Sequence, residues 1–188
     1  MSLVLSPAPG AAPRARRVLS HARMESTLLL RNGEQLLLNL VIPVAALVGG
    51  LLFGGRLGLE VRAFPASVIA LALWSTGFTS LAINTAFERR YGVLERLVAT
   101  PLSQVDLIAG KALSTASVAV AQVALLSAIA VGLGWRPTPT LPSTLAAVLG
   151  AGLAVVCFAG LALSLAGRLR AEATLGLANL IYLAVAAG

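Results

Sequence analysis

Long apolar runs separated by short charged blocks constrain this chain more than any other feature. Residues 63–87 and 112–135 contain no Asp, Glu, Lys or Arg. A helix rises about 1.5 Å per residue and the hydrocarbon core of a bilayer is about 30 Å thick, so about 20 apolar residues cross it. Five segments read as membrane-spanning helices on this basis: residues 36–53, 63–87, 112–135, 145–166 and 173–188. The last is short for a crossing and reads as an interrupted fifth span. Composition argues against a soluble domain: 58% of residues are hydrophobic and 11% charged, where a water-facing domain carries about 25% charged residues. The expected fold is all-α, a polytopic transmembrane helical bundle.

Charge placement sets the expected orientation. Putting the N-terminus inside assigns Arg14, Arg16, Arg17, Arg23, Arg31, Arg89, Arg90, Arg96, Lys111, Arg168 and Arg170 to inner segments. Only Arg56, Arg62 and Arg136 fall on outer ones, so eleven of the 14 basic residues lie inside. This follows the positive-inside bias of membrane proteins. The formal charge of +7 is confined to short blocks with no continuous basic stripe, which argues against a nucleic-acid partner. The expected location is a bacterial plasma membrane, multi-pass, with the N-terminus cytoplasmic.

Residues 1–17 read as a disordered cytoplasmic tail, rich in Pro, Ala and Gly and ending in a basic cluster. Residues 18–33 read as an amphipathic helix lying flat on the inner membrane surface, ended by Asn32-Gly33, both of which tolerate left-handed conformations. His21 reads as surface decoration and Cys157 as a small core residue. Residues 34–188 form the membrane domain. Pro43 removes a backbone donor from the first span. Gly49-Gly50 thin the first span, and Gly150, Gly152, Gly160 and several alanines thin the fourth, for close packing. Ser143 or Thr144 is expected to cap the fourth span.

Four polar residues inside the spans carry two open readings. Asn39, Ser75, Thr79 and Gln122 serve either helix packing or the wall of a translocation path.

The connection at residues 88–111 carries seven charged residues between two uncharged runs. Tyr91, Leu94, Leu97 and Val98 can share one helical face, with Arg89, Arg90, Glu95 and Arg96 largely elsewhere. The segment is either an ordinary charged loop that sets topology or a docking element. Ser103 and Asp106 have the spacing of a capping box for the next helix, and Lys111 is expected to reach back to the interface.

Catalytic signatures are missing. There is no phosphate-binding GxxxxGK[ST] run, no HExxH and no CxxC. One histidine and one cysteine make a His/Cys metal site untenable. No charge lies in the middle of any span, which argues against a proton or sodium relay. The chain therefore reads as a non-enzyme with no catalytic residue, no metal and no cofactor of its own.

The run from Glu88 to Pro101, ERRYGVLERLVATP, followed by Gly110-Lys111, resembles the loop between the second and third helices of ABC-2 type transporter permeases. The likeness is to the drug- and antibiotic-resistance exporter branch of bacteria. The resemblance implies a permease subunit of an exporter driven by a separate ATPase subunit, with ATP and Mg bound on that partner. It also implies a second permease copy or a homologous permease, membrane lipid around the bundle, and six spans in a whole member. This chain is thus expected to be a shortened one, ending in or after the fifth helix. By the same resemblance, Glu88, Arg89, Arg90, Gly92, Glu95, Arg96, Thr100 and Pro101 fall in the ATPase-coupling region. The exported substrate is expected to be an amphiphilic drug or lipid-like molecule. A membrane scaffold or assembly subunit without transport is the alternative; it explains the helices but not the matched loop.

Overall fold

The computed structural model describes residues 10–57 and 63–187. The first nine residues of the expected tail, and residues 58–62 of the first outer connection with Glu60 and Arg62, lie outside the described residues. The described residues are mostly helical, with no strand among them. Helix α1 covers Arg14–Arg31. The first span is built from α2 (Gly33–Leu36), a π-helical turn (Leu37–Val41) and α3 (Ile42–Phe53). The second joins α4 (Phe64–Trp74), a π-helical segment (Ser75–Ser80) and α5 (Leu81–Arg90). A short α6 (Val93–Val98) leads to α7 (Gln104–Gly132), α8 (Leu141–Arg168) and α9 (Ala171–Ala187).

Among the described residues four helices are long and apolar enough to cross a membrane: Asn39–Arg56, Phe64–Arg90, Gln104–Gly132 and Leu141–Arg168. The protein is therefore a multi-pass membrane protein. α9 is apolar but shorter, at 17 residues, or about 26 Å at 1.5 Å per residue.

The second span is the axis of the bundle. Over its most apolar stretch 56% of residues are buried, against 17% for the first, 28% for the third and 17% for the fourth. Its middle, Phe78, Leu81 and Ala82, packs on Ala159 and Ala162 of α8 and Ala178 of α9. Trp74 stacks edge-on against Phe158 at 4.6 Å between ring centroids. Toward the end opposite α1, Val68 and Ala72 meet Leu47 of α3 and Leu126 and Ala130 of α7. Gly50 is needed there, because a Cβ at that position would lie 2.0 Å from the Phe64 ring.

Several local expectations are corrected. The helix meant to begin at residue 18 starts at Arg14, so the basic cluster is helical. Asn32 is extended (φ −91°, ψ 104°), and neither it nor Gly33 is left-handed. Asn32 instead ends α1 and caps the next turn, accepting the Gln35 N–H on its side chain at 3.3 Å. The fourth span begins at Leu141, capped by Thr140 with Ser143 at the third position, rather than by Ser143 or Thr144. Cys157 is exposed on α8, not in the core. The close packing expected of the small residues of α8 is made by its alanines, Ala159, Ala162 and Ala166, while Gly150, Gly152 and Gly160 have open space where a side chain would stand.

Candidate functional site: the α5–α7 connection and its anchor

The second and third spans are joined at the end of the bundle that also carries α1. α5 runs to Arg90 and stops, because Gly92 takes a left-handed conformation (φ 68°, ψ 19°). Glycine adopts this geometry without the steric cost a Cβ brings. The single amphipathic helix expected through Tyr91 is therefore broken into α5, a turn and the six residues of α6. Tyr91 stays out of the shared face. It is exposed, tilted against Phe87 at 6.0 Å, with the Arg90 guanidinium 5.8 Å over its ring. On α6, Leu94 and Leu97 are half-buried, while Glu95, Arg96 and Val98 face outward. Thr100 closes the helix by donating to the Leu97 carbonyl at 2.6 Å, and Pro101 follows in the turn.

Three of the charges assigned to this connection have partners within the protein, and of these Arg90 remains exposed. Glu88 Oε2 lies 2.6 Å from Lys111 Nζ. Arg89 donates to the carbonyls of Gly167 and Leu169 at the end of α8, where unsatisfied carbonyls attract a cation. Arg90 pairs with Glu172 in the first turn of α9. These residues fix the roots of the connection. Glu95 and Arg96, with Thr100 and Pro101, form its outward surface.

The anchor beneath is a node of buried charge. Lys111 is 3% exposed, and its Nζ also lies 2.9 Å from Glu25 Oε1 on α1. The expectation that Lys111 reaches back to the interface is overturned, because two carboxylates hold it inside. His21 is likewise buried rather than decorative, at 3% exposure. It packs on Gly110, where a Cβ would stand 2.4 Å from His21 Cδ2. His21 Nε2 lies 3.5 Å from Glu25 Oε1. Burial lowers the His21 pKa below 6.5, the Lys111 charge adds to that and Glu25 opposes it, so the ring favours its neutral form.

One turn nearer the start of α7, Asp106 is fully buried and accepts from Arg14 Nε at 2.8 Å and Arg17 Nη2 at 2.9 Å. The expected capping box is formed: Ser103 Oγ accepts the Asp106 N–H at 3.1 Å and Asp106 Oδ2 the Ser103 N–H at 3.3 Å. Further along, Ser26 Oγ and Ser114 Oγ are 2.9 Å apart. The partners rise together along both helices, from 14 and 17 with 106 to 26 with 114. α1 therefore runs alongside α7 in the same direction. It does not lie flat across the ends of the spans.

A second polar layer sits deeper. Pro43 has no N–H to give the carbonyl four residues earlier, that of Asn39. Gln122 Nε2 on α7 supplies the missing donor. Gln122 Oε1 accepts from Thr76 Oγ1 at 2.8 Å. Asn39 Oδ1 accepts from Ser80 at 2.8 Å and Ser75 at 3.3 Å. Gln35 and Asn84 exchange two bonds, 2.8 and 3.1 Å. The structure thus brings together Asn39, Ser75 and Gln122; Thr79 is buried nearby in sequence but its hydroxyl has no partner in this network. Thr76, Ser80, Gln35 and Asn84 complete the layer. The proline four residues after an asparagine is the sequence signal that points to it. A polar cavity of about 20 Å³, lined by residues including Glu25, Lys111, Asn84 and Asn39, separates the two layers.

A family model described as ABC-2 type transporter matches residues 18–185. No curated protein and no solved structure matches the chain.

Proposed function

From the premise that the chain belongs to the ABC-2 type transporter family and is a membrane permease component, we propose that it serves an exporter powered by a separate ATPase subunit. ATP and Mg bind on that partner, and a second permease copy completes the path. The end bearing α1 and α6 faces the cytoplasm of a bacterial cell, in keeping with the basic residues concentrated there. No residue of this chain performs covalent chemistry. The exported molecule is an amphiphilic drug or lipid-like compound, in keeping with spans that carry no charge at their centres.

The observation that carries this reading is the outward surface of α6. Glu95 and Arg96 are exposed on a short helix held between the second and third spans, while Glu88 and Arg89 are held by groups within the protein and Arg90 forms an exposed ion pair with Glu172. A helix so placed presents opposite charges to a partner that approaches along the bundle axis, where charge fixes orientation more than it adds affinity. Co-purification of the ATPase subunit with the parent chain and with Glu95→Lys tests the reading. Weakened capture with normal membrane insertion is expected. Equal capture by Glu95→Lys, Arg96→Glu and Gly92→Trp would return the connection to a topology signal and favour a scaffold role.

A further inference from the structure

We propose that Lys111 is a positioning residue that makes α1 part of the machinery linking α6 to the first span, an inference that rests on the exporter reading above. Three elements meet at its ammonium group: Glu25 of α1 at 2.9 Å, Glu88 of α5 at 2.6 Å and the backbone of α7 that carries it. Glu88 and Lys111 are the two roots of the connection that displays α6. Any displacement of α6 that moves these roots is felt by Glu25.

α1 passes that displacement on because it is fixed along its length. Arg14 and Arg17 hold Asp106, His21 sits against Gly110, and Ser26 meets Ser114. These contacts align α1 with the first half of α7, and the hold of Lys111 on Glu25 completes the body that moves as one. The link from α1 to the first span is a single extended residue, Asn32. It is kept short by the Leu36 N–H donating to the Asn32 carbonyl at 3.0 Å and the Gln35 N–H to its side chain at 3.3 Å. A shift of α1 thus reaches the π-helical turn at Leu37–Val41 with almost no slack. π-helical turns mark places where a helix changes its hydrogen-bond register.

The cost of this arrangement argues for a purpose. The whole cluster of a buried lysine and two carboxylates gives little net stability over apolar groups in all three places. What it gives is a fixed meeting point for three helices, because Lys111 reaches Glu25 and Glu88 at once.

The test separates position from mere folding. In a Cys157→Ala background, Ser26→Cys and Ser114→Cys replace the oxygens 2.9 Å apart, within reach of a disulfide of about 2.05 Å. Ketone-bearing residues at Leu52 and Leu149, both exposed, take nitroxide labels that report the distance between the first and fourth spans. The permease is purified with its ATPase subunit, placed in lipid nanodiscs and compared with and without ATP and vanadate. The parent shows a nucleotide-driven distance shift. Lys111→Met loses at least half of it, and the oxidised disulfide in the Lys111→Met chain restores it until reductant is added. The disulfide in the parent chain changes nothing, since α1 and α7 already move together. A full shift in Lys111→Met, a shift abolished by the disulfide in the parent, or no rescue would each overturn the proposal. A parent that binds the ATPase but shows no shift removes the exporter reading and this inference with it.

Discussion

Lys111 Nζ lies 2.6 Å from Glu88 Oε2, joining the last turn of the second span to the beginning of the third. These two residues bracket the connection that displays α6, so their pairing sets where that helix stands. Glu25 shares the same ammonium group at 2.9 Å, which extends the bracket to α1.

Removing the central cation alone leaves two carboxylates facing each other with little water. Lys111→Met is expected to lower stability by about 3 kcal/mol, the low end of the range for a broken buried pair. Neutralising all three groups, Glu25→Gln, Glu88→Gln and Lys111→Met together, is expected to cost much less. Unfolding by denaturant in micelles measures both. A triple variant as unstable as the single one would contradict the electrostatic account.

His21 makes the attachment of α1 sensitive to acid. Its folded pKa is below 6.5, chiefly through burial. The neutral ring therefore contributes stability that is present above 6.5 and is lost as pH falls through the folded value. Amide hydrogen exchange in α1, corrected for the intrinsic rate, is expected to quicken below about pH 6.5 in the parent and to lose that dependence in His21→Phe. Protection unchanged down to pH 5 would argue that α1 is held without regard to His21.

Gly110 is a contact surface for α1, not a flexible point. Gly110→Ala places a methyl group where His21 Cδ2 lies 2.4 Å away, and overpacking of this kind costs about 1–3 kcal/mol. Because α1 is at the edge of the bundle, it should yield first. Limited proteolysis is expected to cut within residues 14–31 of the variant while the spans stay protected.

Gln122 holds the deeper layer. Gln122→Leu leaves the Asn39 carbonyl and the Thr76 hydroxyl without their partner in a membrane interior, an expected loss of about 1–2 kcal/mol. If this layer lines the translocation path instead of binding the helices together, stability will be unchanged and only transport will respond. Thermal denaturation in detergent distinguishes the two.

The helices were legible in the sequence because the bilayer demands long apolar runs, and charge placement picked out the connection between the second and third. The Ser103–Asp106 cap was readable from spacing alone. What sequence reasoning missed is long-range. Nothing local indicates that His21 and Glu25 of α1 converge with Glu88 and Lys111 across three stretches of chain, so two of them read as surface groups. α1 was expected flat on the membrane because its apolar residues suggested it. Its polar face instead pairs with polar groups of α7, and Leu19, Leu28 and Leu30 are left exposed. Likewise nothing local indicates that Arg89 meets the end of α8 and Arg90 the first turn of α9.

The central claim is that α6 is the docking surface for an ATPase. A photoreactive residue at Arg96, on the exposed side of α6, and a control at Leu153, exposed on α8 within a span, test it in membranes that contain both subunits. The account predicts an ATPase adduct from position 96 and none from position 153, with the adduct reduced by Glu95→Lys. No adduct from position 96 in membranes where the two subunits co-purify would contradict it.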